Sequence, residues 1–523
     1  AEGTFQVAVS SKAQIVLSLC QYGNGTTIKV TDPKGNVIRE DVPAKADTDG
    51  GMTAITYEGE AGMLTFTFAA QSYLHSVKVY NVSEFIEKDE TSGYYIIPAG
   101  DAAGLVLALN QAASNPNSKI FLPNGTYDFG EAVLTGISGT NVSIIGQDAD
   151  KTIIVNAPPV SMEGLEKADL FLNTSTGLYL QDVTLKNDLD YYTAGTGRAA
   201  VLHDKGTQTI CKNVKMLSYQ DTYYSHKVGG VYYFEGGEVH GTVDYMCGNG
   251  RVYFNEVKIV NEKRSSATMS ANSELYVYNN CVVENNADAY NFGRAWSDHP
   301  VCIWLNTTLN DPDKLISTRW NLTGINCDYS IAGEYGTKDA NGSDITPESN
   351  TVTFTKENTT LNTILSADQA ATYTIEYTLG DWAATAQAET KQVEAPSDVK
   401  LENGTITWTA AAGATAYAIF KDGELLGIVD AETTSFAVEN GDTDSEAAAR
   451  RAEGDTPEYT IRVANGRGGF GEPREITVVT GINKVNADVN DEGNLPTYNL
   501  NGQRVDSSYK GVVIKNGKKV IVR

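Results

Sequence analysis

Histidine is scarce in this chain, with five in 523 residues, and basic side chains are outnumbered, 40 Lys and Arg against 66 Asp and Glu. Five scattered histidines argue against a zinc site. The formal net charge of −26 argues against a nucleic-acid partner, because phosphate binding needs a basic surface. It also makes a highly anionic polymer an awkward ligand unless basic groups line the site locally. No run of 18 or more apolar residues occurs, which excludes a membrane-spanning helix. Cys20, Cys211, Cys247, Cys281, Cys302 and Cys327 show no CxxC or similar ligand spacing, and the last three read as small apolar core fillers rather than bridged pairs. An initiator methionine and a charged-then-apolar leader are both missing from "AEGTFQVAVSS", as expected after removal or omission of a signal peptide. Helical periodicity is sparse too. Its clearest instance, "AAGLVLALNQAAS" (102–114), is expected to cap one end of a solenoid and hide its first edge.

What the chain has is a repeat. "LYLQDVTL", "TICKNVKM", "YYFEGGEV", "VYFNEVKI", "VYNNCVV" and "IWLNTTL" share an apolar-polar alternation and align on Asp182, Asn213, Gly236, Glu256, Asn280 and Thr307, at spacings of 31, 23, 20, 24 and 27. Strands recurring at such intervals predict a solenoid of stacked parallel β-coils. The flanks differ: residues 1–90 ("TFQVAVSS", "MLTFTFAA") read as a β-sandwich. A second sandwich covers 389–480, where Trp408, Tyr417 and "RVANGRGGFGEP" resemble a fibronectin type III domain. Within it 439–458 is polar and predicted to be a mobile loop. The tail, 481–523, resembles C-terminal sorting and surface-attachment segments of secreted bacterial proteins. The fold class is therefore all-β, with the solenoid at 91–388.

"LSYQDTYYSH" and "HGTVDYMCGN" carry Asp221 and Asp244, 23 residues apart. If 23 is one coil, the two carboxylates stand on adjacent coils about 4.8 Å apart, with Arg198, a further 23 before Asp221, completing a vertical file. Two like charges that close in a partly desolvated cleft cannot both ionise freely, so one can attack or accept a proton while the other donates. Arg294 in "YNFGRAWSDHP" would keep one carboxylate ionised. Trp296 offers a flat apolar face for a sugar ring, Tyr223, Tyr224 and Tyr245 are candidate substrate contacts, and the Gln220 amide is a candidate oxyanion donor. Weighed alone, an aspartate at a coil turn is more often a backbone hydrogen-bond acceptor, and a tyrosine pair is more often packing. The conjunction at compatible spacing favours a site.

"YQDTYY", "GTVDYMCGNG" and "FGRAW" together resemble the pectin methylesterase family, whose signatures are QDT, GTVDFIFG and GRPW. "SKIFLPNGTYDF", "VSIIGQDADKTIIV", "GEYGTKDANG" and "LSADQAATYTIEYTLGDW" extend the likeness, in family order, over roughly 93–385. The resemblance implies a right-handed parallel β-helix that removes methyl esters from galacturonate units of pectin (homogalacturonan) and releases methanol, with no cofactor or metal. It implies Asp244 as nucleophile, Asp221 as general acid then base, Gln220 as oxyanion donor, Arg294 as partner of Asp244 and Trp296 as sugar platform. A secreted location follows (extracellular, cell-surface or periplasmic), with a monomer as the default. The chain departs from the family at Arg198, which takes the place of a second oxyanion glutamine, at Ala295 for proline and at Cys247 for phenylalanine. Arg198 can donate to an oxyanion or, pairing with Asp221, weaken the acid. Rival readings are a glycosidase or lyase on the same fold, an acetyl esterase, and a polysaccharide-binding surface protein with a decayed site.

Overall fold

The computed structural model describes residues 3–21, 26–46, 51–195, 197–438, 458–478, 497–506, 508–515 and 518–522. Its centre is a parallel β-helix of three sheets with ten, nine and seven strands. One coil shows the plan: Gln208–Lys212 joins the ten-stranded sheet, Lys215–Leu217 the nine-stranded sheet and Tyr223–Ser225 the seven-stranded sheet. The chain then re-enters the ten-stranded sheet at Val231–Glu235, paired in parallel with the strand below.

The repeat marks a backbone turn. Asp182, Asn213, Gly236, Glu256 and Asn280 all have left-handed φ, between +48° and +64°, where the chain leaves the ten-stranded sheet. Asn, Asp and Gly tolerate this region best, which is why they dominate these positions. The sixth member is Asn306 (φ +51°) rather than Thr307, so the final spacing is 26, not 27. Thr307, one residue on, is fully buried.

Inside the helix, equivalent positions stack coil upon coil. Phe234, Phe254, Tyr278 and Trp304 are in register in the ten-stranded sheet, with ring centroids 4.7, 4.6 and 3.8 Å apart. Each such pair contributes about 0.5–1.5 kcal/mol beyond its buried area. The file ends at Glu334, paired with Trp304 in the last coil and fully buried against the Arg319 guanidinium. All six cysteines are buried, and Cys281, Cys302 and Cys327 belong to the interior core, as expected of apolar fillers.

Helix Ala102–Ala112 closes the first coil. Its N-cap Asp101 accepts from the Gly104 amide, and the buried face (Leu105, Ala108, Leu109) continues the interior core. The same carboxylate accepts from Tyr80 Oη (2.8 Å) and pairs with Lys78 (2.8 Å), tying the helix to the N-terminal strands. Those seven strands form two layers that share strand Val37–Ala46, over a core including Ile15, Leu17, Ile28, Val30 and Phe66. After the last coil, helices Ile375–Leu379 and Ala383–Thr390 cover the outside of the ten-stranded sheet.

Residues 397–478 contribute two four-stranded sheets around Ile406, Trp408, Tyr417 and Ile461. The stretch "RVANGRGGFGEP" docks them on the β-helix. Phe470 stacks on Tyr94 (5.6 Å), its carbonyl accepts from Gln181 Nε2, and Arg467 donates to the Gly177 carbonyl. The loop expected at 439–458 lies outside the described residues except for Glu458, whose amide donates to Asp422 Oδ1. Of the tail, the described residues form a four-stranded antiparallel sheet between Thr497 and Val522.

Candidate active site

The seven-stranded sheet carries the aspartates. Gln220 bridges to Val243 and Tyr223 pairs with Met246, which sets Asp221 and Asp244 at the same place on neighbouring coils. Both have left-handed φ, +61° and +52°, where the strand breaks step. The next coil shifts register between Val243 and Met246. Such a kink costs roughly 1–2 kcal/mol per residue and re-aims a side chain out of the ladder, the use to which bulges beside functional sites are put. Gly248, closing the second motif, is required by close approach: at φ +112° a Cβ there would lie 1.8 Å from the Ser225 carbonyl oxygen.

Equivalent backbone positions hold the two carboxylates in unequal surroundings. Each residue is only 4% exposed. Asp244 is held bidentately along one edge of a guanidinium, Arg294 Nε donating to Oδ1 at 2.9 Å and Nη2 to Oδ2. Asp221 has no side-chain hydrogen bond among the described residues. Burial, then the charge of Asp244, push the Asp221 carboxyl well above the usual carboxylate range, against weaker opposition from Arg198 and Arg294. Burial also raises Asp244, but Arg294 opposes it through hydrogen bonds and charge. The arrangement therefore keeps the proton on Asp221 and the negative charge on Asp244. A buried acid beside an ionised carboxylate can offer both a proton and a nucleophile from one site.

Arg198 does not complete the file expected from its spacing. Its backbone bridges to Gln220, 22 residues on, and Leu202 pairs with Tyr223, so this coil is shorter than the next. Its guanidinium turns to Glu163, with Nε to Oε2 at 3.2 Å and Nη2 to Oε1 at 3.1 Å. The pair sits at the rim, and the Arg198 side chain is 45% exposed. Gln220 is half-buried, its amide without a hydrogen bond among the described residues.

The aromatic candidates divide. Trp296 stacks on Tyr224 (5.7 Å, 21°), and the two form a wall with Ala200, Cys247 and Ala271. Tyr223 and Tyr245 are fully buried inside the helix and do not reach the site. Tyr223 packs edge-on against Phe234, and Tyr245 Oη donates to Asn261 Oδ1 at 2.9 Å. Their expected substrate contacts are thereby corrected to packing, because inward and outward side chains alternate along a strand.

Sequence reasoning passed over four neighbours. Glu163 holds Arg198; Asp169, fully buried, adds to the field on Asp221; Arg264 lowers the proton affinity of Asp244. Tyr192, over half exposed, stands edge-on to Tyr219, which immediately precedes Gln220. Only the "YY" of "DLDYYTAG" was a visible signal. A separate cavity of ≈ 770 Å³ between the second sandwich and the β-helix, lined by Asp148, Lys215, Arg462 and Glu472, contains none of the candidates.

Fold and site define a parallel β-helix protein with an arginine-held carboxylate pair. The family model described as Pectinesterase matches residues 98–380, and the chain belongs to that family. It is 26% identical over 240 residues to a pectinesterase of Petunia integrifolia, covering 41% of this chain and 61% of that protein. It is 28% identical over 186 residues to pectinesterase 3 of Solanum lycopersicum, covering 33% and 32%. The chain thus spans about three-fifths or less of the curated relatives it matches. Among solved structures, the pectin methylesterase from carrot aligns with a TM-score of 0.46 at 18% identity, over 57% of this chain and 98% of that one. The pectin methylesterase from Yersinia enterocolitica aligns with a TM-score of 0.40 at 21% identity, over 53% and 99%.

Proposed function

We propose that the chain is a pectinesterase that hydrolyses the methyl esters of galacturonate units in homogalacturonan, through an acyl-enzyme on Asp244. The observation that carries this reading is the unequal partnering of two carboxylates at one coil position. Asp244 attacks the ester carbonyl carbon, and the tetrahedral oxyanion is met by the Gln220 amide at the mouth of the site. As the bond to the methoxy oxygen breaks, Asp221 delivers its proton and methanol leaves. Asp221, now ionised, takes a proton from water, whose oxygen attacks the acyl carbon. Asp244 departs as a carboxylate, Asp221 is again protonated, and the product galacturonic acid loses its proton to solvent. Arg294 keeps Asp244 ionised and aligned throughout. The Trp296–Tyr224 wall is the sugar platform, and Arg198 with Glu163 forms the rim.

A polymer of this size is met outside the cell, which supports secretion. The described residues contain no helix long and apolar enough to cross a membrane. The flanking parts fit an N-terminal sandwich (1–90), a fibronectin type III-like module (389–480) and an attachment-like tail (481–523) around the esterase (91–388), working as a monomer.

The test is methanol release from highly methylated homogalacturonan. The native chain should release it, Asp244→Asn should not, and Asp221→Asn should lose about 10²–10⁴-fold. No methanol from the folded native chain, or a near-native rate in Asp244→Asn, overturns the reading; acetate released from an acetylated polymer would put the acetyl-esterase alternative in its place.

A further inference from the structure

Behind the aromatic wall lies a second cluster that the ester chemistry does not use. His203 is 1% exposed and His226 partly so, and their rings stack at 5.0 Å. His203 Nε2 and His226 Nδ1 face each other at 2.8 Å, and Glu166 Oε1 stands 3.2 Å from the same His226 nitrogen. All three atoms fall within 4.8 Å of one another. On the far side of the His203 ring, Nδ1 lies 3.1 Å from Asp169 Oδ2, although its N–H does not point along that line. The fully buried Asp169 carboxylate is itself fixed, Oδ1 by the Ala200 amide and Oδ2 by the Glu166 amide.

From this geometry we infer that His203, His226 and Glu166 form a site for a divalent transition-metal ion such as Zn²⁺, with Asp169, 3.1 Å from His203 Nδ1, placed to become its outer hydrogen-bond partner when the ring turns onto the ion. Two imidazoles and one carboxylate are a ligand set zinc accepts, leaving a fourth position open. Ligand atoms about 2.0–2.1 Å from a tetrahedral ion lie ~3.3 Å apart, within the spread found here. A carboxylate behind a ligating histidine is the usual outer partner. Lys205, 3.6 Å from Glu166 Oε2, is the counter-ion that the metal would displace or share. Tyr224 stacks on both histidine rings, at 4.8 and 4.6 Å, and on Trp296, so a bound ion would brace the wall of the ester site from behind. Scattered histidines argue against a zinc site when read along the sequence, but coil stacking brings two of the five together.

The experiment is Zn²⁺ uptake by the full chain after chelator stripping and dialysis, with bound metal quantified and affinity titrated. One ion per chain is expected, bound at least ~10-fold more weakly in Glu166→Gln and in His226→Gln, and Asp169→Asn should weaken it by about 10–100-fold. The double variant Glu166→Gln/His226→Gln, checked for folding by circular dichroism, controls for ions held by the acidic surface. Uptake equal in the native chain and the folded double variant, or absent from the native chain, overturns the inference. This readout does not depend on ester hydrolysis.

Discussion

Replacing Glu163 with glutamine should reach the proposed general acid, Asp221, without touching it. In the native chain Glu163 anchors Arg198 at the rim through two side-chain hydrogen bonds, and Arg198 already opposes, weakly, the raised proton affinity of Asp221. Freed by Glu163→Gln, the guanidinium is expected to turn toward the buried Asp221, whose charge it already feels. At an effective dielectric of 20, halving any charge separation from about 8 Å to about 4 Å strengthens the attraction by about 2 kcal/mol. Arg198 is nearly half exposed, so solvent screening reduces this to about 1 kcal/mol, roughly a fivefold fall in the proton affinity of Asp221. The proposed mechanism requires protonated Asp221, so the alkaline limb of the kcat/KM profile should move to lower pH. Activity above that limb should fall about fivefold, while activity well below it stays unchanged. The assay is methanol release across pH with native, Glu163→Gln, Arg198→Gln and the double variant. Arg198→Gln removes the opposing charge and should move the limb upward, and the double variant should follow Arg198→Gln. A limb that stays put in Glu163→Gln, or a double variant that matches Glu163→Gln, would refute Arg198 as the messenger.

Three further outcomes are expected. Arg319→Met strips the partner from the fully buried Glu334 and should destabilise the β-helix by about 3–5 kcal/mol in chemical denaturation, with Arg319→Met/Glu334→Leu recovering most of it. Glu238 is pushed up by burial but held down to about 2 overall by Lys215, His240 and Lys258, so its contribution is present above the ordinary carboxylate value and lost as pH falls through about 2. Glu238→Gln should therefore cost about 2–3 kcal/mol near neutral pH and progressively less in acid, read from unfolding midpoints. Trp296→Ala should raise KM by about 2- to 10-fold with kcat little changed, and a loss confined to kcat would remove it from the sugar platform.

The sequence made the coil legible because one backbone conformation recurs in it. A left-handed turn residue at these six exits from the ten-stranded sheet favours Asp, Asn or Gly, which fill five of the six places. The error at Thr307 has the same origin: Asn306 and Thr307 are both plausible turn residues, and only the dihedral angle separates them. Arg198 was misplaced because coils differ in length. A spacing of 23 describes the step from Asp221 to Asp244, whereas the step below it is 22 at Gln220 and 21 at Tyr223. A constant interval locates neighbouring coils but not the side chain that lies above another.

Facing is a stricter matter than stacking. Adjacent residues in an extended strand point to opposite sides, so of Tyr223 and Tyr224 only one could reach the cleft, and an outward Asp244 already required an inward Tyr245. The burial of Tyr245 was in that sense readable beforehand; which of Tyr223 and Tyr224 faced out was not, because the left-handed kink at Asp221 resets the alternation. The histidines show the converse. His203 and His226 are separated by the same 23 residues as the aspartates, yet nothing in their local sequence marks them as facing each other. Their meeting depends on the short coil, which sets His203 level with Tyr224 and leaves His226 two residues further along the strand path, within reach of its ring nitrogen. One irregularity in coil length thus keeps Arg198 out of the aspartate file and brings two histidines together behind it.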